Sequence, residues 1–200
     1  MVMLLYNELI TSILMLFVVL DAPGNAPLFY FFTRGIDVSK RKYIIRRSVL
    51  IAFFILLLFG LIGDLLLKYF HITLDDFRIA GGIILFIYAV LGILGHSPAE
   101  EASSEDIAVV PLATPLLAGP GAVTVMIYLK YSYGLLVTCI SLITNMFIAW
   151  ITLENGDKLL NLLGRSGSMV LSKIFAILLA GYSIALIREG ILAWINTFNP

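Results

Sequence analysis

Two hundred residues allow one domain or two small halves, and 60% of them are hydrophobic while only 13% are charged, with a mean hydropathy of +1.02. Soluble domains run near 45–50% apolar and about 25% charged, so a water-soluble fold and a disordered chain are both excluded, and the bilayer is the solvent that suits this composition. Thirteen Lys+Arg against thirteen Asp+Glu leave no basic excess for nucleic acid, and Cys139 alone closes no internal disulfide.

Apolar runs of span length lie at residues 8–33, 48–67, 78–95, 107–130, 134–153 and 172–187. They are too long for buried strands and predict an all-α membrane protein of six transmembrane helices. The start of the chain does not read as a signal peptide, because Glu8 stands where a basic region belongs.

The first span carries Asp21-Ala22-Pro23-Gly24-Asn25-Ala26-Pro27 in its middle. Proline lacks an N–H and clashes with the carbonyl four residues back, so this stretch should unwind a turn. Asp21 sits ~18 Å into the span at 1.5 Å per residue. A charged Asp there costs ~2.5–3.5 kcal/mol; it binds an ammonium group or Na⁺, carries a proton, or caps nearby N–H groups. Asn25 is expected to cap the half-helix after the break, with Pro27 in its opening turn.

The first loop holds Arg34, Lys40, Arg41 and Lys42, with Arg46 and Arg47 close behind. Placing that side in the cytoplasm splits the bases nine to four, with Lys158, Arg165 and Lys173 inside and Lys68, Arg78, Lys130 and Arg188 outside. Both termini are then expected outside. An anionic-lipid site is the alternative use of the basic loop. Further along, Asp64 stands four residues before Lys68, a helical ion-pair spacing. Arg78, ahead of Gly81-Gly82, reads as an interface anchor. An acidic linker, residues 98–106, joins the halves.

The fourth span reads Pro111-Leu112-Ala113-Thr114-Pro115-Leu116-Leu117-Ala118-Gly119-Pro120-Gly121. It predicts a second break, with Gly119 capping and Pro120 at the first helical position. Thr114 and Thr124 add hydroxyls. Asn145, midway along the fifth span, bonds across helices or touches a substrate.

Pro23-Gly24 and Pro120-Gly121 lie 97 residues apart, about half the chain. Three spans per half make the second half, 107–200, enter from the face opposite to the first, 1–97. The expectation is an inverted 3+3 repeat with helices 1 and 4 broken, a pattern that points to a transporter site. An unwound turn offers free N–H groups to a carboxylate and free carbonyls to an ammonium, the two ends of an amino acid. The expected substrate-binding residues are Asp21, Gly24, Asn25, Thr114, Gly119, Gly121, Thr124 and Asn145. Gly24, Ala26, Ala118, Gly119, Gly121 and Ala122 leave room for little substrate bulk.

Enzyme chemistry is not expected. His71 and His96 have no ligand at metal spacing, and there is no His-Glu-x-x-His run or phosphate-binding loop. Gly60-Leu61-Ile62-Gly63-Asp64 has one residue too many for the Gly-x-Gly-Asp of aspartyl intramembrane proteases.

At these motifs the sequence resembles the MarC family of integral membrane proteins, which includes the SnatA-type amino acid transporters. Asp21–Pro27 resembles the family's Asp-Pro-x-Gly-Asn-x-Pro, Phe77–Phe86 is similar to its Arg-x-x-Gly-Gly signature, and Pro111–Thr124 resembles its Pro-Leu-Ala-x-Pro-x-Leu-x-Gly-Pro-Gly run. One departure is Ala22, which stands where the family has proline; proline follows at Pro23. The resemblance implies a six-helix carrier in the cell membrane for glycine, alanine or serine, driven by a proton or sodium gradient, with no cofactor and with oligomeric state open. A small-solute channel and a non-transporting membrane protein of stress response are the alternatives.

Overall fold

The computed structural model describes residues 2–33, 35–94, 104–155 and 164–198, and among them every regular element is helical. In chain order these are α1 (Val2–Leu20), α2 (Ala22–Phe32), α3 (Val38–Phe70), α4 (Leu74–Leu94) and α5 (Ser104–Ile107). A widely wound stretch, Ala108–Leu117, then leads into α6 (Pro120–Asn155), and α7 (Gly164–Phe198) closes the chain. Arg34, His96, Lys158 and residues 98–103 of the acidic linker lie outside the described residues; 104–106 begin α5.

Five described helical segments are long and apolar enough to cross a bilayer: Tyr6–Phe32, Val38–Phe70, Leu74–Leu94, Pro120–Asn155 and Ala176–Ile195. The sequence predicts six. The difference lies in the fourth and fifth spans, where the shorter apolar stretch Ala108–Leu117 precedes a helix that runs through both. At 36 residues α6 would be ~54 Å long if straight, well beyond a ~30 Å hydrocarbon core. It is not straight. Gly134, with φ 80 and ψ 165, interrupts it, in a region essentially closed to residues with a Cβ.

Contacts with α3 show what happens at Gly134. Before it, Gly60 and Gly63 face Met126 and Ile127, and Asp64 meets Lys130 and Tyr131. After it, the order inverts: Phe53 shares a groove with Ile143 and Met146, and Arg46 bonds Glu154. The chain therefore doubles back, and α6 is a hairpin of two arms lying along α3. Its turn, at Gly134, falls on the first residue of the predicted fifth span.

Small residues let the helices meet at backbone distance. A Cβ on Gly82 of α4 would come within 2.9 Å of the Ser183 carbonyl oxygen on α7, and one on Gly190 of α7 within 2.8 Å of the Asp75 carbonyl oxygen on α4. Leu16, Phe29, Phe32, Leu56, Leu112 and Met126 are buried at the centre. The outer faces are apolar too: Val18 is 71% exposed and Leu136 67%, surface that lipid covers without cost.

Two charge expectations change. Asp64 does not pair with Lys68; its carboxylate accepts from Tyr131 Oη at 2.6 Å and lies 3.4 Å from Lys130 Nζ. The hairpin turn delivers both groups to the same end of α3, where they outcompete the local spacing. In the basic segment, Arg41 is not a loop charge but a buried one. It lies 4.8 Å from the Tyr30 ring centroid and reaches the carbonyls of Thr33 and Ile36 at 3.5 and 3.4 Å, closing the end of α2.

Candidate functional site

The first break is a single residue. Asp21 adopts φ 41 and ψ 51, a left-handed conformation that Asp tolerates better than most residues. Pro23 prevents α1 from continuing, because its ring would meet the Val19 carbonyl and it has no N–H to give. Asp21 Oδ1 instead accepts from Gly24 N at 3.1 Å, and its carbonyl accepts from Asn25 N at 2.9 Å. The cap of α2 is thus Asp21, not Asn25 as the sequence suggested. Asn25 sits one turn in, and its Nδ2 donates to the Leu20 carbonyl at 2.9 Å, closing an open end of α1. Asp21 and Gly24 are both exposed.

The second break is longer. Val110 (φ −130, ψ 124) and Thr114 (φ −133, ψ 127) are extended because each precedes a proline, which excludes the helical region. The chain tightens again where Ala118 N donates to the Ala113 carbonyl at 2.7 Å. Gly119 then precedes Pro120 at the first position of α6, as the sequence predicted, and its carbonyl accepts from Val123 N at 3.0 Å. Gly121 and Ala122 keep N–H groups with no partner inside the helix. A Cβ on Gly119 would lie 2.5 Å from the Pro115 carbonyl oxygen, so only glycine fits this bend.

Beside the second break lies a cavity of about 210 Å³. Val19 borders it from the last turn of α1, and Pro115, Leu116 and Gly119–Ala122 border it from the second break. Arg78 of α4 and one face of α7, Tyr182, Ala185, Leu186 and Glu189, complete the wall. Those four positions follow the i, i+3, i+4, i+7 spacing of a single helix face. A Cβ on Gly121 would be 2.9 Å from Val19 Cγ1, so the second break packs against the last turn of α1. Gly81 is set against Pro115, at 3.3 Å from a built Cβ, which explains the adjacent glycines of α4: Gly81 admits the break and Gly82 admits α7.

The cavity holds one basic and one acidic side chain. Arg78 Nη1 is 2.5 Å from Asp75 Oδ1, one turn back on α4. Glu189 makes no hydrogen bond or ion pair among the described residues. A small molecule with separated opposite charges would find the α6 N-terminus and Arg78 for its anion and Glu189 for its cation. No cluster of three or more metal-ligating side chains occurs among the described residues.

Of the expected substrate-binding residues, Gly119 and Gly121 line this cavity, and Asp21, Gly24, Asn25, Thr114, Thr124 and Asn145 do not. Thr124 Oγ1 donates to its own helix, to the Pro120 carbonyl at 2.8 Å. The Thr114 hydroxyl is buried without a partner beside the lining residue Pro115. Asn145 Nδ2 donates to the carbonyls of Ile13 at 3.1 Å and Ser141 at 2.9 Å, tying α6 to α1. Arg78, Tyr182 and Glu189 were not among the expected site residues. The signal for Glu189 was present: apolar residues resume after it at Ile191, Leu192, Trp194 and Ile195, so the last helix continues past 187.

A family model described as MarC family integral membrane protein matches residues 6–195. A UPF0056 membrane protein of Archaeoglobus fulgidus is 35% identical over 188 residues, 88% of each chain. One of Methanocaldococcus jannaschii is 32% identical over 188 residues, 88% of this chain and 92% of its own. The UPF0056 inner membrane protein YhgN of Escherichia coli is 29% identical over 198 residues, 95% of this chain and 99% of its own. No solved structure matches the chain.

Proposed function

The chain belongs to the MarC family of integral membrane proteins, and on that premise we propose that it is a secondary active transporter of small neutral amino acids, of the glycine, alanine and serine class. The observation that carries this reading is the cavity between the second break and the last turn of α1, bordered by Arg78, Glu189 and the open N-terminus of α6. A zwitterion is the ligand whose two charges match that wall. Its carboxylate is placed on the N–H groups of Gly121 and Ala122 and on Arg78, which exchanges Asp75 for the substrate. Its ammonium is placed on Glu189. Gly119, Gly121 and Ala122 set the size limit, since any larger side chain here fills the space.

The transport cycle we infer is alternating access around this site, the two halves moving as an inverted 3+3 repeat in which the stretch from Ala108 and the first arm of α6 make the fourth span. Support comes from the doubling back at Gly134, which divides α6 into two arms. The driving ion is a proton or Na⁺, and no cofactor is needed. A multi-pass location in the inner membrane, termini outside, accords with the name of the Escherichia coli relative and the basic loop.

Counterflow of radiolabelled glycine in liposomes tests the proposal. Expected is uptake stimulated by unlabelled glycine, alanine or serine inside. A folded, reconstituted protein that gives no counterflow with any of the three, or only unstimulated flux, overturns it.

A further inference from the structure

We propose that the groove between α3 and the second arm of α6 binds one acyl chain of an anionic phospholipid, with its head group held by Lys42 and Arg46. The groove has a volume of about 450 Å³ and shares no lining residue with the cavity beside the second break. Its walls are Leu50 and Phe53 of α3 and Ile143 and Phe147 of α6, and Arg46 and Trp150 close one end. Leu50 and Ile143 are each 58% exposed and Phe147 57%, so the groove opens outward into the bilayer.

The layout along α3 is that of an amphiphile. Lys42, Arg46, Leu50 and Phe53 follow i, i+4, i+8, i+11 and share one face. Lys42 and Arg46 stand four and eight residues into the helix, ~6–12 Å from its start, where head groups lie, and Phe53 is ~10 Å deeper than Arg46. Trp150, with Arg46 5.6 Å from its ring centroid, is the residue type that settles at that boundary.

Charge selects the head group. Glu154 Oε1 is 2.8 Å from Arg46 Nη2 and 3.8 Å from Lys42 Nζ, so two cations share one carboxylate. One positive charge is left over at the mouth of an apolar groove. A phosphatidylglycerol head supplies a net negative charge, whereas the phosphate of a phosphatidylcholine head is already balanced by its own choline ammonium. Lys42 is the looser partner, 3.8 Å from the carboxylate against 2.8 Å for Arg46.

The test is native mass spectrometry of the purified full chain equilibrated with equal amounts of dioleoyl phosphatidylglycerol and dioleoyl phosphatidylcholine. One phosphatidylglycerol should be retained per chain, at least tenfold over phosphatidylcholine. Lys42→Gln should reduce that preference several-fold, and Leu50→Trp should remove the bound lipid while leaving Lys42 and Arg46 in place. Lys42→Gln is an exposed, charge-only change, and a thermal melt matching that of the unaltered protein identifies it as folded. Equal retention of both lipids, an undiminished preference in Lys42→Gln, full retention in folded Leu50→Trp, or a dimer that buries this groove in place of lipid would each overturn the proposal.

Discussion

Replacing Gly82 by alanine, with Gly181→Ala as its partner, isolates the cost of one methyl group at the crossing of α4 and α7. A Cβ at 82 would stand 2.9 Å from the Ser183 carbonyl oxygen and 3.2 Å from Ile187 N, both backbone atoms. Ordinary contact begins at 3.4 Å, so α4 must move off by 3.4 − 2.9, or 0.5 Å. Overpacking of this kind costs about 1–3 kcal/mol. At Gly181 nothing lies within 4 Å. Both changes gain the same helix propensity, about 1 kcal/mol from Gly to Ala, so their difference reports the clash alone. At roughly 2–4 °C per kcal/mol for a chain of this size, the two melting points should separate by about 2–12 °C, with Gly181→Ala the higher. Circular dichroism melts in one detergent make the comparison. If the two variants melt together, α4 and α7 do not meet at backbone distance here, and the close approach that carries Arg78 to the cavity wall is wrong.

Arg78→Gln and Glu189→Gln each remove a charge-assisted bond worth about 1.5–3 kcal/mol. Glycine counterflow should then need about 10–150-fold more substrate at half-saturation, with little change in melting point; unaltered half-saturation in both would remove them from the site. Asp21→Asn keeps an acceptor for Gly24 N and tolerates the left-handed backbone, so counterflow should survive, while Asp21→Ala should cost about 0.5–2 kcal/mol in a melt. Loss of gradient-driven accumulation in Asp21→Asn with counterflow intact would instead give Asp21 the coupling ion. Gly134→Ala forces a Cβ into φ 80, ψ 165 and should destabilise by about 1–3 kcal/mol; an unchanged melt would mean the turn is not as described.

Hydropathy and proline chemistry made much of the architecture legible in the sequence. Pro23, Pro111, Pro115 and Pro120 each remove an N–H, and the breaks sit where they stand because no neighbouring sequence can restore those bonds. The limits were equally physical. Local spacing joins Asp64 to Lys68, but the partner that wins is Lys130, 66 residues away, brought in by a turn that only Gly134 marks. Arg188 and Glu189 resembled a loop because two charges end an apolar run, yet the helix continues and turns Glu189 to the cavity. Asp21 illustrates a different limit: charge at mid-span fits an ion site and a helix cap alike, and its bond to Gly24 N is a matter of backbone conformation that composition does not encode.

The bend at Gly134 bears on how this chain is made. Only Gly134 departs from helical dihedrals between the two arms of α6, so the tether joining them is short. A tether this short suits insertion of the two arms as one wedge, whose tip brings Lys130 and Tyr131 to Asp64. A glycosylation acceptor or epitope spliced at this tip would part Lys130 and Tyr131 from Asp64 and so disturb the fold whose sidedness it was meant to report.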